Sequence, residues 1–164
     1  MKEVTRIGMD DYDSIVQNLT VPQCKNTKEV KMGYSGTNFF IKGSGGESIW
    51  TGSVGPCHAV FIYGSPKSGI LGQVGLVHVS GQHDVIVSQA EKLLDTMESL
   101  YDCEIFVVGG DAEGYSSGYT LDPDNLGSKL GGKVKLLISP ASKDGEYVRA
   151  ELTGDRHVNI AKHE

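Results

Sequence analysis

Apolar positions along the chain fall into two kinds of pattern. Across Asp84 to Tyr101, Val85, Ile86, Ala90, Leu93, Leu94, Met97 and Leu100 recur at helical spacing with charges on the opposite side. That spacing predicts one amphipathic helix. Asp84 is placed to cap it, because a carboxylate there accepts free amide hydrogens of the first turn. Asp10 to Thr20 carries a shorter pattern of the same kind in Ile15, Val16 and Leu19.

Elsewhere the apolar residues form short runs bounded by glycine, proline and polar residues, which predicts strands. Val4 to Met9 is a first strand. Val30 to Tyr34 and Asn38 to Lys42 are two more, joined hairpin-fashion by Ser35-Gly36-Thr37. Ser48 to Thr51, Cys57 to Tyr63 and Val74 to Ser80 read as consecutive strands of one sheet, with Gly64 to Gly69 turning between the last two. Cys103 to Val108 is a buried strand ending at Gly109-Gly110. Lys133 to Ser139, Tyr147 to Leu152 and His157 to Ala161 follow, the last two a hairpin around Thr153-Gly-Asp-Arg156. A mostly antiparallel, sandwich-like sheet packed against one main helix is an α+β architecture.

Composition narrows this picture in three ways. The 164 residues suit a single domain, 1–164, with a sizeable core. Twenty-two glycines without a repeating period mark many turns between short strands. The formal charge of −6, with no basic stripe, argues against nucleic acid as a partner. No apolar run is long enough to span a bilayer, and the first residues lack the apolar core of a secretory signal.

Cys24, Cys57 and Cys103 cannot all pair, and none has the close spacing of a zinc site. Free thiols in a reducing compartment are the simplest reading. Export by a signal-independent machine, or trimming from a larger toxin, gives the same sequence. No cofactor or metal is expected. Lys42-Gly-Ser-Gly-Gly-Glu47 lacks the lysine that a phosphate-binding loop needs.

Candidate chemistry centres on Cys57 and His78. Cys57 opens its strand, where a side chain is reachable, and follows Gly52-Ser-Val-Gly55, which can bend and expose amide hydrogens for an oxyanion. A thiol is mostly protonated near neutral pH unless a base assists it. His78 sits one strand later. Period-two alternation puts Leu76, His78 and Ser80 on one face and Val77 and Val79 on the other. His58, next to Cys57, points to the opposite face and is the poorer partner. His83, His157 and His163 fall in loops or the tail, and Cys24 and Cys103 read as structural. The bland alternative is a buried cysteine beside a satisfied core histidine.

The segment Thr51-Gly-Ser-Val-Gly-Pro-Cys57, then a histidine in the next apolar strand, resembles the cysteine glutamine-deamidase superfamily. That group includes the chemoreceptor deamidase CheD, the catalytic domain of cytotoxic necrotizing factor and Burkholderia lethal factor. CheD proteins carry Thr-x-Gly-x-Gly-Ser-Cys before an apolar strand. The toxins carry Leu-Ser-Gly-Cys and a histidine strand similar to Val77-His78. The likeness runs from Thr51 to Gly110, through the helix and the strand ending Val107-Val108-Gly109-Gly110.

The resemblance implies deamidation of a protein glutamine. Cys57 is then the nucleophile, His78 the base and Thr51 the residue that orients His78. The backbone amides of Gly55 and Cys57 hold the oxyanion. The implied partner is a protein presenting an exposed glutamine to a monomeric enzyme. Pro56 departs from the family pattern and has no amide hydrogen to donate. The fifty residues before Thr51, and the lack of a CheD-like C-terminal segment, favour the toxin or effector branch over the CheD branch. A peptidase, a transglutaminase and a non-catalytic binding module with a buried thiol stay open. Loops at Gly43 to Glu47, Gly64 to Gly69 and Gly110 to Gly127, the last with Asp111, Tyr115 and Tyr119, are placed to grip a substrate.

Overall fold

The computed structural model describes residues 5–7, 26–110, 121, 126–138 and 147–162. Within them the chain forms strands β1 (Thr5–Ile7), β2 (Asn26–Glu29), β3 (Ser35–Ile41), β4 (Glu47–Val54), β5 (His58–Pro66) and β6 (Leu71–Val79). Helix α1 (His83–Met97) and β7 (Tyr101–Gly109) come next. They are followed by the short helix α2 (Ser128–Gly131), then β8 (Val134–Ile138), β9 (Val148–Thr153) and β10 (Val158–Lys162). No helix among the described residues is long and apolar enough to cross a membrane.

The strands build two sheets. One has six strands in the order β1-β8-β7-β5-β6-β3, and the other four in the order β10-β9-β4-β2. Their facing sides enclose one core, in which Phe40, Ala59, Phe61, Leu76, Phe106 and Val108 meet Ile49, Val54, Ala150, Leu152 and Ile160. The outer face of the six-stranded sheet carries α1, whose Ile86, Ala90, Leu93, Leu94 and Met97 pack on Val60, Ile62, Val77, Ile105 and Val107. β5 lies between these two cores, so both of its faces are apolar. That is why Ala59 to Tyr63 reads as a continuous apolar run rather than an alternation.

The α+β class holds, with three corrections to its layout. β4 belongs to the four-stranded sheet, paired with β9 and β2, whereas β5 and β6 belong to the six-stranded one. The three strands are therefore not consecutive members of one sheet. Pairing is mostly antiparallel, as expected, but not uniformly so: β1–β8, β7–β8 and β2–β4 run parallel. Finally, Ser35-Gly36-Thr37 is no turn: it pairs with Val77, Leu76 and Gly75 inside β3. The turn lies at Lys31 to Tyr34, where Gly33 supplies a φ of +88°. β2 is the polar Asn-Thr-Lys-Glu segment, exposed throughout, so hydrophobic patterning misses it.

Smaller differences have local causes. α1 stops at Met97 because Tyr101 is already paired with Pro66 in the sheet, which leaves Leu100 exposed. Its cap residue is Gln82, without a side-chain capping bond. Asp84 lies inside the first turn, where its carboxylate accepts the Val85 N–H at 3.0 Å. His83 is accordingly the first residue of α1 rather than a loop residue. β5 runs on through Pro66, which shifts the turn to Lys67–Ile70. The Asp10 to Thr20 pattern, Cys24, Asp111, Tyr115, Tyr119 and His163 lie outside the described residues.

Candidate active site

Three neighbouring segments converge at one end of the sandwich. β4 carries Thr51 on its inner face, beside Ile49, opposite Ala150 of β9. A β-bulge between Thr51 and Val54 then adds a residue to the strand and reverses its alternation. Val54 thus points into the core while Ser53 is turned outwards with φ 56°, the left-handed region. From Val54 the chain passes through Gly55-Pro56-Cys57 to the other sheet and enters β5 at His58. β6 pairs with β5 in the register His58↔Val79 and Ala59↔His78.

The expected alternation in β6 is what the structure shows. Val77 and Val79 face α1, and Leu76 faces the core between the sheets. His78 shares that inner face and meets side chains from both neighbouring segments. The Cys57 thiol Sγ lies 3.0 Å from His78 Nε2, and Thr51 Oγ1 lies 2.6 Å from His78 Nδ1. Cys57, His78 and Thr51 therefore form a continuous relay. Thr51 and His78 are fully buried, while Cys57 keeps 7 % exposure, so the relay meets the outside at its sulfur end.

Burial also sets the charge of His78. Desolvation pulls the His78 pKa from 6.5 down to about 4, so the ring is neutral near pH 7. A neutral imidazole has one bare nitrogen. With the ring proton on Nδ1 and donated to Thr51 Oγ1, Nε2 is free to accept the thiol proton. The thiol has a second acceptor in the Ser53 carbonyl oxygen, 3.6 Å from Sγ.

The backbone around Cys57 is held by the residue that follows β7. The Gly110 N–H donates to both the Gly55 and the Cys57 carbonyl oxygens, at 3.0 and 3.2 Å. This close approach needs a bare neighbour, since a Cβ on Gly109 would stand 2.1 Å from the Cys57 carbonyl oxygen. Gly55 is buried beneath the ring of Tyr147, which is itself half exposed just before β9. Among the described residues neither the Gly55 nor the Cys57 amide hydrogen has an acceptor. Both amides flank Pro56, which is exposed between them.

The other described histidines and cysteines lie apart from the relay. His58 faces the helix side and accepts the Leu121 N–H on Nε2 at 3.0 Å. Burial pulls its pKa down to about 4, helped by His83 and His78, and its Nδ1 has no partner among the described residues. His157 is exposed in the turn before β10. Cys103 is buried in β7, and burial pushes its thiol up to about 11. No group of three histidine, cysteine, aspartate or glutamate side chains suited to a metal ion occurs among the described residues. A cavity of about 360 Å³ opens at the end of β6, where Met32 and Gly33 face Val85 and Gln89 of α1, and His78 and Ser80 form part of its wall.

Hydrophobic patterning identifies none of Ser53, Gly109, Gly110 or Tyr147 as part of this site. The first needs knowledge of the bulge. The glycines read only as a strand end, and Tyr147 reaches Gly55 through the pairing of β9 with β4. The chain matches no protein-family model and no curated protein.

Proposed function

We propose that the chain is a protein-glutamine deamidase, a hydrolase that converts a glutamine of a target protein to glutamate. The observation that carries the reading is the relay Cys57 Sγ–His78 Nε2–Nδ1–Thr51 Oγ1, at 3.0 and 2.6 Å. It is built from the same three residues whose order and spacing resemble the cysteine glutamine deamidases. The effector branch, acting on a host protein, is the preferred role.

Cys57 attacks the carboxamide carbon as its proton passes to His78 Nε2. The S–C bond forms, and the carbonyl electrons move onto oxygen, held by the Gly55 and Cys57 amides. Collapse breaks the C–N bond, and His78 gives its proton to the departing nitrogen, which leaves as ammonia. A water then attacks the thioester, giving a proton to His78. The C–S bond breaks, glutamate is released, and the proton returns to Cys57. Thr51 holds the imidazole in one tautomer and supports its charged form throughout.

Incubating the wild type and Cys57→Ser with host-cell lysate tests this, with glutamine-to-glutamate conversion read by whole-proteome mass spectrometry. Conversion at discrete glutamines by the wild type alone, lost also in His78→Ala, supports the reading. Peptide-bond cleavage or amine incorporation in its place assigns the relay to a peptidase or a transglutaminase. Deamidation confined to chemoreceptors of the producing cell assigns it to the CheD-type role. A Cys57 that resists iodoacetamide near neutral pH leaves a binding module.

A further inference from the structure

We infer that the Ser53 carbonyl oxygen binds the amide nitrogen of the substrate and so selects a primary carboxamide; the inference rests on the deamidase reading above. A carboxamide presents one oxygen and two N–H donors. The oxygen is served by backbone amides, but the N–H groups need acceptors once the side chain has left water. Two acceptors lie against the Cys57 sulfur, His78 Nε2 at 3.0 Å and Ser53 O at 3.6 Å. The first is occupied by the proton in transit. The Ser53 oxygen is left for the substrate.

The reach is suitable. A carbon poised for attack sits roughly 3–3.5 Å from the nucleophile. With the carboxamide turned so that its nitrogen faces Ser53, that nitrogen comes within hydrogen-bond distance of an oxygen 3.6 Å from the same sulfur. Timing is also built in. The single thiol S–H has two acceptors, Ser53 O and His78 Nε2, and once its proton has passed to Nε2 for attack none is left to occupy Ser53 O. The acceptor is vacated as the substrate N–H arrives.

The backbone is bent for this. Ser53 and Arg156 are the non-glycine residues with left-handed φ among the described residues, at 56° and 71°. Arg156 sits in the turn between β9 and β10, where such a conformation is ordinary. Ser53 sits within β4, at the bulge, and the strain turns its carbonyl off the β4–β9 ladder towards the thiol. Strained backbone of this kind persists where surrounding structure enforces it, and it concentrates at functional sites. The residue itself is exposed, on the side of the relay where the sulfur keeps its exposure.

A site built to bond a substrate N–H discriminates against the analogue that lacks it. The probes are benzyloxycarbonyl-Gln-Gly and its counterpart with a γ-methyl ester, which has no N–H on the leaving group. Ser53→Gly keeps the carbonyl and tolerates φ 56°, whereas Ser53→Val disfavours that φ and turns the carbonyl away. Ser53→Gly is expected to keep the wild-type ratio of amide to ester kcat/KM. Ser53→Val is expected to lower that ratio about tenfold or more. Equal losses on both substrates overturn the inference while leaving deamidation standing. A wild type that cleaves the ester and releases no ammonia from the amide overturns the deamidase reading and this inference with it. Calorimetry on Cys57→Ser, which leaves Ser53 untouched, gives a second measure that does not depend on Ser53→Val folding. Tighter binding of the amide than of the ester is expected there, and equal binding overturns the inference.

Discussion

Thr51 and His78 belong to different sheets, and their side chains meet at 2.6 Å across the interior of the sandwich. Thr51 rides on β4 of the four-stranded sheet and His78 on β6 of the six-stranded one. Neither side chain has a path to water, so each is the other's answer to the cost of a buried polar group. The contact therefore does two jobs. It gives His78 Nδ1 a hydrogen-bond partner, and it ties the two layers together beside the sulfur.

Removing the hydroxyl tests both jobs. Thr51→Val keeps the shape and leaves His78 Nδ1 without a partner. The loss of a bond that supports a charged imidazole is expected to lower kcat by about 10- to 100-fold. The stranded ring nitrogen lowers folding stability by about 1–3 kcal/mol. Thr51→Ser, which restores the oxygen, recovers most of both. Ammonia release and urea denaturation of the two variants read the effect, and an unchanged Thr51→Val removes Thr51 from the site.

Two buried histidines make stability depend on pH. His58 and His78 both have folded pKa values near 4, below the 6.5 of the free side chain. The unfolded chain thus binds protons that the folded chain refuses. Stability from this source is fully present above about pH 6.5 and is lost as pH falls towards 4. The His58 shift corresponds to about 3 kcal/mol. The melting temperature is expected to fall steeply between these limits, and less steeply in His58→Gln. A midpoint flat from pH 7 to 4 contradicts the assignment. In the same window activity is retained below the usual histidine range and is lost only near the His78 value.

Gly109 is expected to tolerate no side chain. A Cβ there meets the Cys57 carbonyl oxygen at 2.1 Å, and φ is +133°. Gly109→Ala must push β7 away from Cys57, at a cost of about 3 kcal/mol or more. Chemical denaturation gives the stability, and iodoacetamide alkylation of Cys57 reports the displaced thiol. Gly43→Ala is the control, since its φ of +83° is also left-handed but nothing lies within 4 Å. Similar losses in the two variants point to backbone strain alone.

Alkylation should separate the two described cysteines. Burial holds the Cys103 thiol at about 11, and its Sγ donates to the Tyr101 carbonyl oxygen. Cys57 has a base at 3.0 Å. Near neutral pH, peptide mapping after brief iodoacetamide treatment is expected to find the label on Cys57 and not on Cys103. Comparable labelling of both denies Cys57 its special environment.

The pairing of Cys57 with His78 is legible because both sit in apolar runs whose alternation fixes their faces. Thr51 is legible only by resemblance. Its contact with His78 spans two sheets, and no periodicity within one strand reports on a partner in another layer. Placing β4 in the same sheet as β5 is the natural error. Both are short apolar strands close in sequence, and Gly52 to Gly55 reads as a turn rather than a bulge plus a crossing between sheets. β2 escapes notice for the opposite reason: Asn-Thr-Lys-Glu carries no apolar signal, and its pairing with β4 is purely a matter of backbone. The helix is plain from its stripe, yet its end is set by the start of β7, which the stripe does not encode.

Between Thr51 and Cys57 the chain leaves one sheet and joins the other, so the reactive assembly is a property of the closed sandwich rather than of any strand. A chain with its layers parted keeps every residue of the relay and loses the hydroxyl from the imidazole. Sulfur reactivity then becomes a gauge of sheet docking. It should fade at denaturant concentrations where each sheet still holds its own hydrogen bonds, and chemistry would be the first property this protein surrenders on opening.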